Sequence, residues 1–212
     1  MIKELEEFIN EIDLAFFMYA HITGSVEFYM LVLEKPELQR VVSKVISGNE
    51  IEWKQLHRFM LINGQAVTWY PELPVHKIIA GKNALLGFIY GITLSRMVSS
   101  IDYYLNYILK NYFGYNEIGG SSWQQFINKT MIDLLNLSHG KFVYTLLQER
   151  HKIEHNQAKI DRVFLERMAK FDVKHTYKDG DAIQKSHIDI LLTHKIIREF
   201  GEDVAGEVER II

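Results

Sequence analysis

Apolar residues return at helical spacing along most of the chain, and that period decides the fold class. From Asn83 to Tyr112 the stripe reads Leu85, Phe88, Ile89, Ile92, Met97, Ile101, Leu105, Ile108 and Tyr112. Steps of three and four residues put such side chains on one face of an α-helix. Ile2 to Ala20 repeats the pattern with Leu5, Phe8, Ile9, Ile12, Phe16 and Tyr19. No segment alternates apolar and polar residues as a half-buried strand does. The three prolines, Pro36, Pro71 and Pro74, all precede residue 75, so the second half holds no helix breaker of that kind. The chain therefore reads as all-α.

Punctuation residues divide it further. Gly24 is expected to end the first helix. A helix through Phe28 to Glu34 follows, and Pro36 opens another. Gly48-Asn49 separates that one from a helix over Ile51 to Leu61. Gly64 and Pro71 to Pro74 bracket a piece rich in Trp and Tyr. In the second half, Gly114 and Gly119-Gly120 close the long helix. Ser122 with Gln125 forms a capping box that opens Trp123 to Leu137. His139-Gly140 separates this from Phe142 onward. A short helix spans Arg162 to Lys170, and Lys178-Asp179-Gly180-Asp181 is a turn. The last helix covers Ser186 to Phe200, with Gly201 just past its end. Residues 1–81 read as an N-terminal helical extension and 82–212 as a helical domain, with no true linker between them.

Composition excludes several functions. With 212 residues, 48 % of them hydrophobic, the chain can bury a core unaided. No cysteine is present, which removes disulfides, thiolate metal sites and a cysteine nucleophile. The N-terminus lacks a basic start and cleavage site, and no run approaches about 20 apolar residues. The best candidate, Ala84 to Met97, is too short. A cytoplasmic protein with no membrane association is expected. A net charge of -3 argues against a general nucleic-acid coat. Yet His139 to Lys178 holds nine Lys/Arg against five Asp/Glu. This local basic excess suits a phosphate-bearing partner, or is a solvated helix face.

Within that basic stretch lies Glu149-Arg150-His151-Lys152-Ile153-Glu154-His155-Asn156, six of whose eight residues can carry charge. Arg is a planar donor that holds phosphate and its developing charge. His moves a proton near neutral pH. Asn donates and accepts without titrating. These are the parts needed to cleave RNA without a metal: a base takes the 2'-hydroxyl proton, the oxygen attacks phosphorus, and a cation steadies the charge.

Arg150 and His155, four residues apart, resemble the Arg-x4-His motif of HEPN domains. His151 takes the polar place after the Arg, Asn156 follows the His, and Asp161 lies six residues past it. Asp179-Gly180-Asp181 with Ile183 resembles the turn before the family's last helix. Ser99-Ser100-Ile101-Asp102-Tyr103-Tyr104-Leu105 resembles the preceding helix, with Asp102 where many members have Glu. The resemblance spans about Lys82 to Asp203. It implies a HEPN-like helical bundle and a metal-independent endoribonuclease of a toxin-antitoxin or antiviral defence system. Arg150 and His155 are then the catalytic pair, with His151, Asn156 and Asp102 in support. No cofactor or metal is implied. The implied partners are RNA, a second copy of the chain in a homodimer, and a cognate antitoxin protein. The alternative is a non-catalytic HEPN-like module that binds protein or RNA.

Residues five apart on a regular helix lie about 140° round from each other. Arg150 and His155 thus share a face only if a helix end falls between them, or else a partner subunit supplies one group. Two other readings compete for these residues. One is a capping and ion-pair patch at a helix end. The other takes His151-Lys152-Ile153-Glu154-His155 as the H-x-x-E-H signature of zinc peptidases, with Glu199 or Glu202 as third ligand. His187 and His194 read as half-exposed surface. His21, His57, His76, His139 and His175 have no partner at ligand spacing. Tyr103, Tyr104, Trp53, Trp69 and Trp123 sit among Leu and Ile at helical spacing and read as core.

Overall fold

A computed structural model describes residues 3–47, 59–62, 65–68, 81–115 and 122–212. Among these residues there are seven helices and one hairpin: α1 (Lys3–Glu34), α2 (Pro36–Ser47), β1 (Phe59–Ile62), β2 (Gln65–Thr68), α3 (Lys82–Phe113), α4 (Ser122–Thr130), α5 (Gly140–His155), α6 (Arg162–Lys170) and α7 (His187–Ile211). The fold is all-α. The chain divides into two compact units, one joining Met1–Tyr19 to Tyr90–Ile212 and one of Ala20–Ile89. The division falls within α1 and α3, whereas composition placed a break before Lys82.

Four local expectations are corrected. Gly24 does not end α1, which runs to Glu34; a mid-helix glycine costs only about 1 kcal/mol. The helix expected over Ile51 to Leu61 is not seen in its described part. Phe59–Ile62 pairs antiparallel with Gln65–Thr68, with Phe59 opposite Thr68. Helix α4 stops at Thr130, because Met131 takes a positive φ of 62° that a helix cannot continue. Helix α7 continues through Gly201, which is therefore no cap. A Cβ at Gly201 would overlap the Phe8 ring, so this glycine admits a close helix approach. The expected features at Gly48-Asn49, Trp53, His57, Gly64, Trp69, Pro71, Pro74, His76 and Gly119-Gly120 lie outside the described residues.

In the larger unit α3 is the central element. Leu94, Met97, Val98, Ile101, Leu105, Ile108 and Leu109 are all fully buried. Phe8 of α1 stacks on Tyr104 at 4.4 Å between ring centroids, and the Tyr104 hydroxyl donates to the Gly201 carbonyl at 3.1 Å. Trp123 of α4 stacks on Phe200 of α7 at 5.6 Å and meets Tyr144 of α5 at 5.7 Å. Polar pairs join α1 to α7 as well. Asp13 accepts from His194 and from Arg198 at 2.8 and 2.9 Å, and the Tyr19 hydroxyl bonds His187. His187 is exposed and His194 half-buried, as expected, and each also bonds to α1. Tyr104 and Trp123 are core, as expected, but Tyr103 is 68 % exposed.

The smaller unit buries Thr23, Met30, Val32, Leu33, Leu86 and Ile89. Gln39 at the start of α2 donates to the Leu33 carbonyl at 3.0 Å, closing the Pro36 corner. Helices α1 and α3 are each 32 residues long, with apolar windows of mean hydropathy 1.3 and 1.4, long and apolar enough to cross a membrane. The run read from sequence as too short is thus part of a longer helix. Core helices of globular proteins pass the same test, and the fully buried side chains of α3 form such a core.

Candidate functional site

The site is built on α5. Its start is fixed by Gly140, where a Cβ would collide with the Leu134 carbonyl. From there the helix is regular through His155, so the charged octet forms its last two turns. Helical spacing then sorts the octet into two faces.

Glu149 and Lys152 point inward, 2 % and 5 % exposed. Glu149 accepts from the Tyr177 hydroxyl at 2.6 Å, and its second oxygen lies 2.6 Å from Lys185 Nζ. Burial, together with this carboxylate, pushes the Tyr177 phenol well above its ordinary range. Lys152 reaches Asp161 at 2.7 Å. Asp161 also caps α6, accepting from the Phe164 N–H at 2.9 Å. These two bonds hold its carboxyl below the usual carboxylate range. Charges removed from water need such partners. The Asp179-Gly180-Asp181 turn belongs to the same support. Gly180 N–H donates to Ile160 and Ile160 N–H to Asp181, at 2.9 and 2.8 Å, which pins the turn to the segment after the octet.

Arg150, His151, Glu154 and His155 face outward. Arg150 Nη1 donates to Asp102 of α3 at 2.6 Å, and Nε to Glu154 at 3.3 Å. Burial disfavours the guanidinium charge, but the two carboxylates outweigh it and raise its pKa. The other Asp102 oxygen accepts from the Ser122 hydroxyl. Together Asp102, Asn106, Ser122, Gln148, Arg150, His151 and Arg167 border a cavity of about 380 Å³ floored by Trp123, Tyr144 and Leu147. Arg167 of α6 donates to Gln148 at 2.8 Å. Partial desolvation, then the charges of His155, Lys152 and Arg167, lower the His151 pKa.

The residues expected from sequence are thus partly gathered. Asp102, Arg150 and His151 share the cavity. His155 does not line it: it ends α5 with 64 % of its side chain exposed, its ring 4.9 Å from that of His151. No helix end separates Arg150 from His155, so the two point apart as a regular helix requires. Asn156 is the C-cap, and its side-chain amide donates to the Lys159 carbonyl at 2.7 Å, away from the cavity. Gln148, Asn106, Ser122 and Arg167 were not singled out from sequence. Only Ser122 carried a local signal, and that signal spoke of capping.

For the zinc-peptidase reading, His151 and His155 are neighbours, but Glu199 is engaged by His139 at 2.8 Å. Among the described residues no three His, Asp or Glu side chains converge as a metal site. No protein-family model, no curated protein and no solved structure matches the chain.

Proposed function

We propose that the chain is a metal-independent endoribonuclease of the HEPN kind, working as a homodimer in a toxin-antitoxin or antiviral setting. One observation supports this above the rest: Asp102 reaches across from α3 to orient Arg150 at the edge of an open cavity that His151 also lines, with the His155 ring 4.9 Å from that of His151.

Arg150 contacts the scissile phosphate through its remaining Nη2 and steadies the charge that builds on its oxygens. His151, held neutral near pH 7 by its lowered pKa, takes the 2'-hydroxyl proton. The 2'-oxygen attacks phosphorus, the bond to the 5'-oxygen breaks, and His155 returns a proton to that oxygen. The products carry a 2',3'-cyclic phosphate and a 5'-hydroxyl. In the dimer, two octets face each other, so His155 of either copy serves the phosphate held by Arg150. Asp102 positions Arg150, and Asn156 holds the helix end that carries His155.

The second reading, a non-catalytic HEPN-like binding module, draws on the double carboxylate clamp on Arg150, which would serve equally as a structural ion pair. Incubation with RNA in EDTA separates the two. The nuclease reading expects cleavage with cyclic-phosphate ends, none where the 2'-hydroxyl is replaced by hydrogen, and toxicity on expression that Arg150→Ala relieves. Intact RNA and harmless expression would favour the module.

A further inference from the structure

Arg150 is the cation nearest the proposed chemistry, yet its charge is already committed. Asp102 and Glu154 hold it at 2.6 and 3.3 Å, so the three groups together carry one net negative charge. An RNA strand arriving at such a cluster meets no net attraction. Arg167 differs. It is exposed, lines the same cavity, and its bond is to the neutral carboxamide of Gln148 at 2.8 Å. The nearest acid on its own helix, Glu166, is bonded instead to Arg162 at 2.9 Å. Gln148 restrains the guanidinium through Nη1 without neutralising it, and no hydrogen bond among the described residues engages Nε or Nη2.

We propose that Arg167 is the phosphate-binding residue of this cavity. It holds an RNA phosphodiester next to the one that Arg150 contacts, and Gln148 is its positioning residue. The inference rests on the ribonuclease reading and deepens it. A planar fork matches two phosphate oxygens, and Arg167, which only influences Asp161 from a distance and is ion-paired to no carboxylate among the described residues, keeps more of its attraction for a phosphate than Arg150 does. The cavity, at about 380 Å³, is near the lower end of the roughly 300–1,000 Å³ of small-ligand sites, room for one nucleotide unit. A phosphate beside Arg167 then places the adjoining nucleotide between α3 and α5, where the Asn106 carboxamide and the Ser122 hydroxyl line the wall.

The probe is a short 2'-O-methyl oligoribonucleotide, which binds but cannot cleave itself. Its Kd is measured against salt for the parent, Arg167→Ala, Arg167→Lys and Gln148→Ala, alongside cleavage of the unmodified RNA. Arg167→Ala is expected to weaken binding about tenfold. It should also reduce the slope of log K against log salt by about 0.7, the value for one lost contact to a single strand. Arg167→Lys should keep the slope but lose part of the affinity, because an ammonium is not a fork. Gln148→Ala should keep the slope and raise Kd by a smaller factor. Unchanged Kd and slope in Arg167→Ala would overturn the proposal, even if the parent cleaves RNA. A changed slope with no cleavage by the parent would uphold the phosphate site and remove the nuclease reading. A parent that neither binds nor cleaves would overturn both.

Discussion

One helix presents two charged faces, and they are used differently. On the inner face of α5, Glu149 and Lys152 are almost fully buried, and each charge has a partner: Tyr177 and Lys185 for the first, Asp161 for the second. On the outer face, Arg150 and His151 border an open cavity and His155 is largely exposed. The residues alternate within a single octet, so charge density in sequence does not separate them. Burial does. Lys152 stands between His151 and His155 in sequence but holds the capping carboxylate of α6. The fold thus uses the inner face to fix the helix that displays the outer one.

The contrast can be broken most forcefully through Glu149. Glu149→Gln leaves Lys185, whose side chain is 12 % exposed, without its counter-charge. Breaking a buried pair in this way costs about 3–5 kcal/mol. Urea unfolding should show that loss, while Arg150→Ala, which opens a half-exposed pair, should cost about 1 kcal/mol or less. Equal losses would erase the distinction between the faces. Activity should rank them in reverse. Arg150→Ala is expected to slow RNA cleavage about 100- to 1,000-fold, as for loss of one charge-stabilising donor. Any folded variant of the inner face should retain most of its rate.

Two smaller effects depend on pH. The folded pKa of His151 lies below its ordinary value, so the unfolded chain takes up the proton first and acidification through that ordinary range disfavours the fold. NMR titration should find the His151 imidazole below 6.5, and Arg167→Ala should move it upward by removing a nearby positive charge. A His151 that titrates normally in the parent would remove the reason to cast it as base. Asp161 bears in the same direction, over a more acidic range. Its folded pKa is depressed, so its contribution is present at neutral pH and fades as pH falls from the ordinary carboxylate value through the folded one. The acid limb of stability should be slightly flatter in Asp161→Asn than in the parent.

Sequence periodicity carried the all-α class, because the stripe of α3 is long enough to leave no alternative. It placed α6 at Arg162–Lys170, where Asp161 caps the helix. Single glycines misled it. Gly24 and Gly201 both lie inside helices, the second because Phe8, nearly two hundred residues away in sequence, packs against it. No local pattern reveals such a neighbour. The strand pair Phe59–Ile62 and Gln65–Thr68 was missed for a related reason: four-residue strands are too short to show a period. At the site, helical spacing foresaw that Arg150 and His155 diverge. Asp102 was legible only through a family resemblance. Arg167, Gln148 and Asn106 were not legible at all, since α3, α5 and α6 meet only in the folded chain.

The most direct test of the account is single-turnover cleavage of RNA in EDTA by the parent and by Arg150→Ala, with the melting temperature of each measured beside it. The account predicts cleavage by the parent to 2',3'-cyclic phosphate ends, a variant slower by about 100-fold or more, and nearly equal melting. Equal rates, or a variant that is slow only because it is unfolded, would contradict it and return Arg150 to the structural face of the helix.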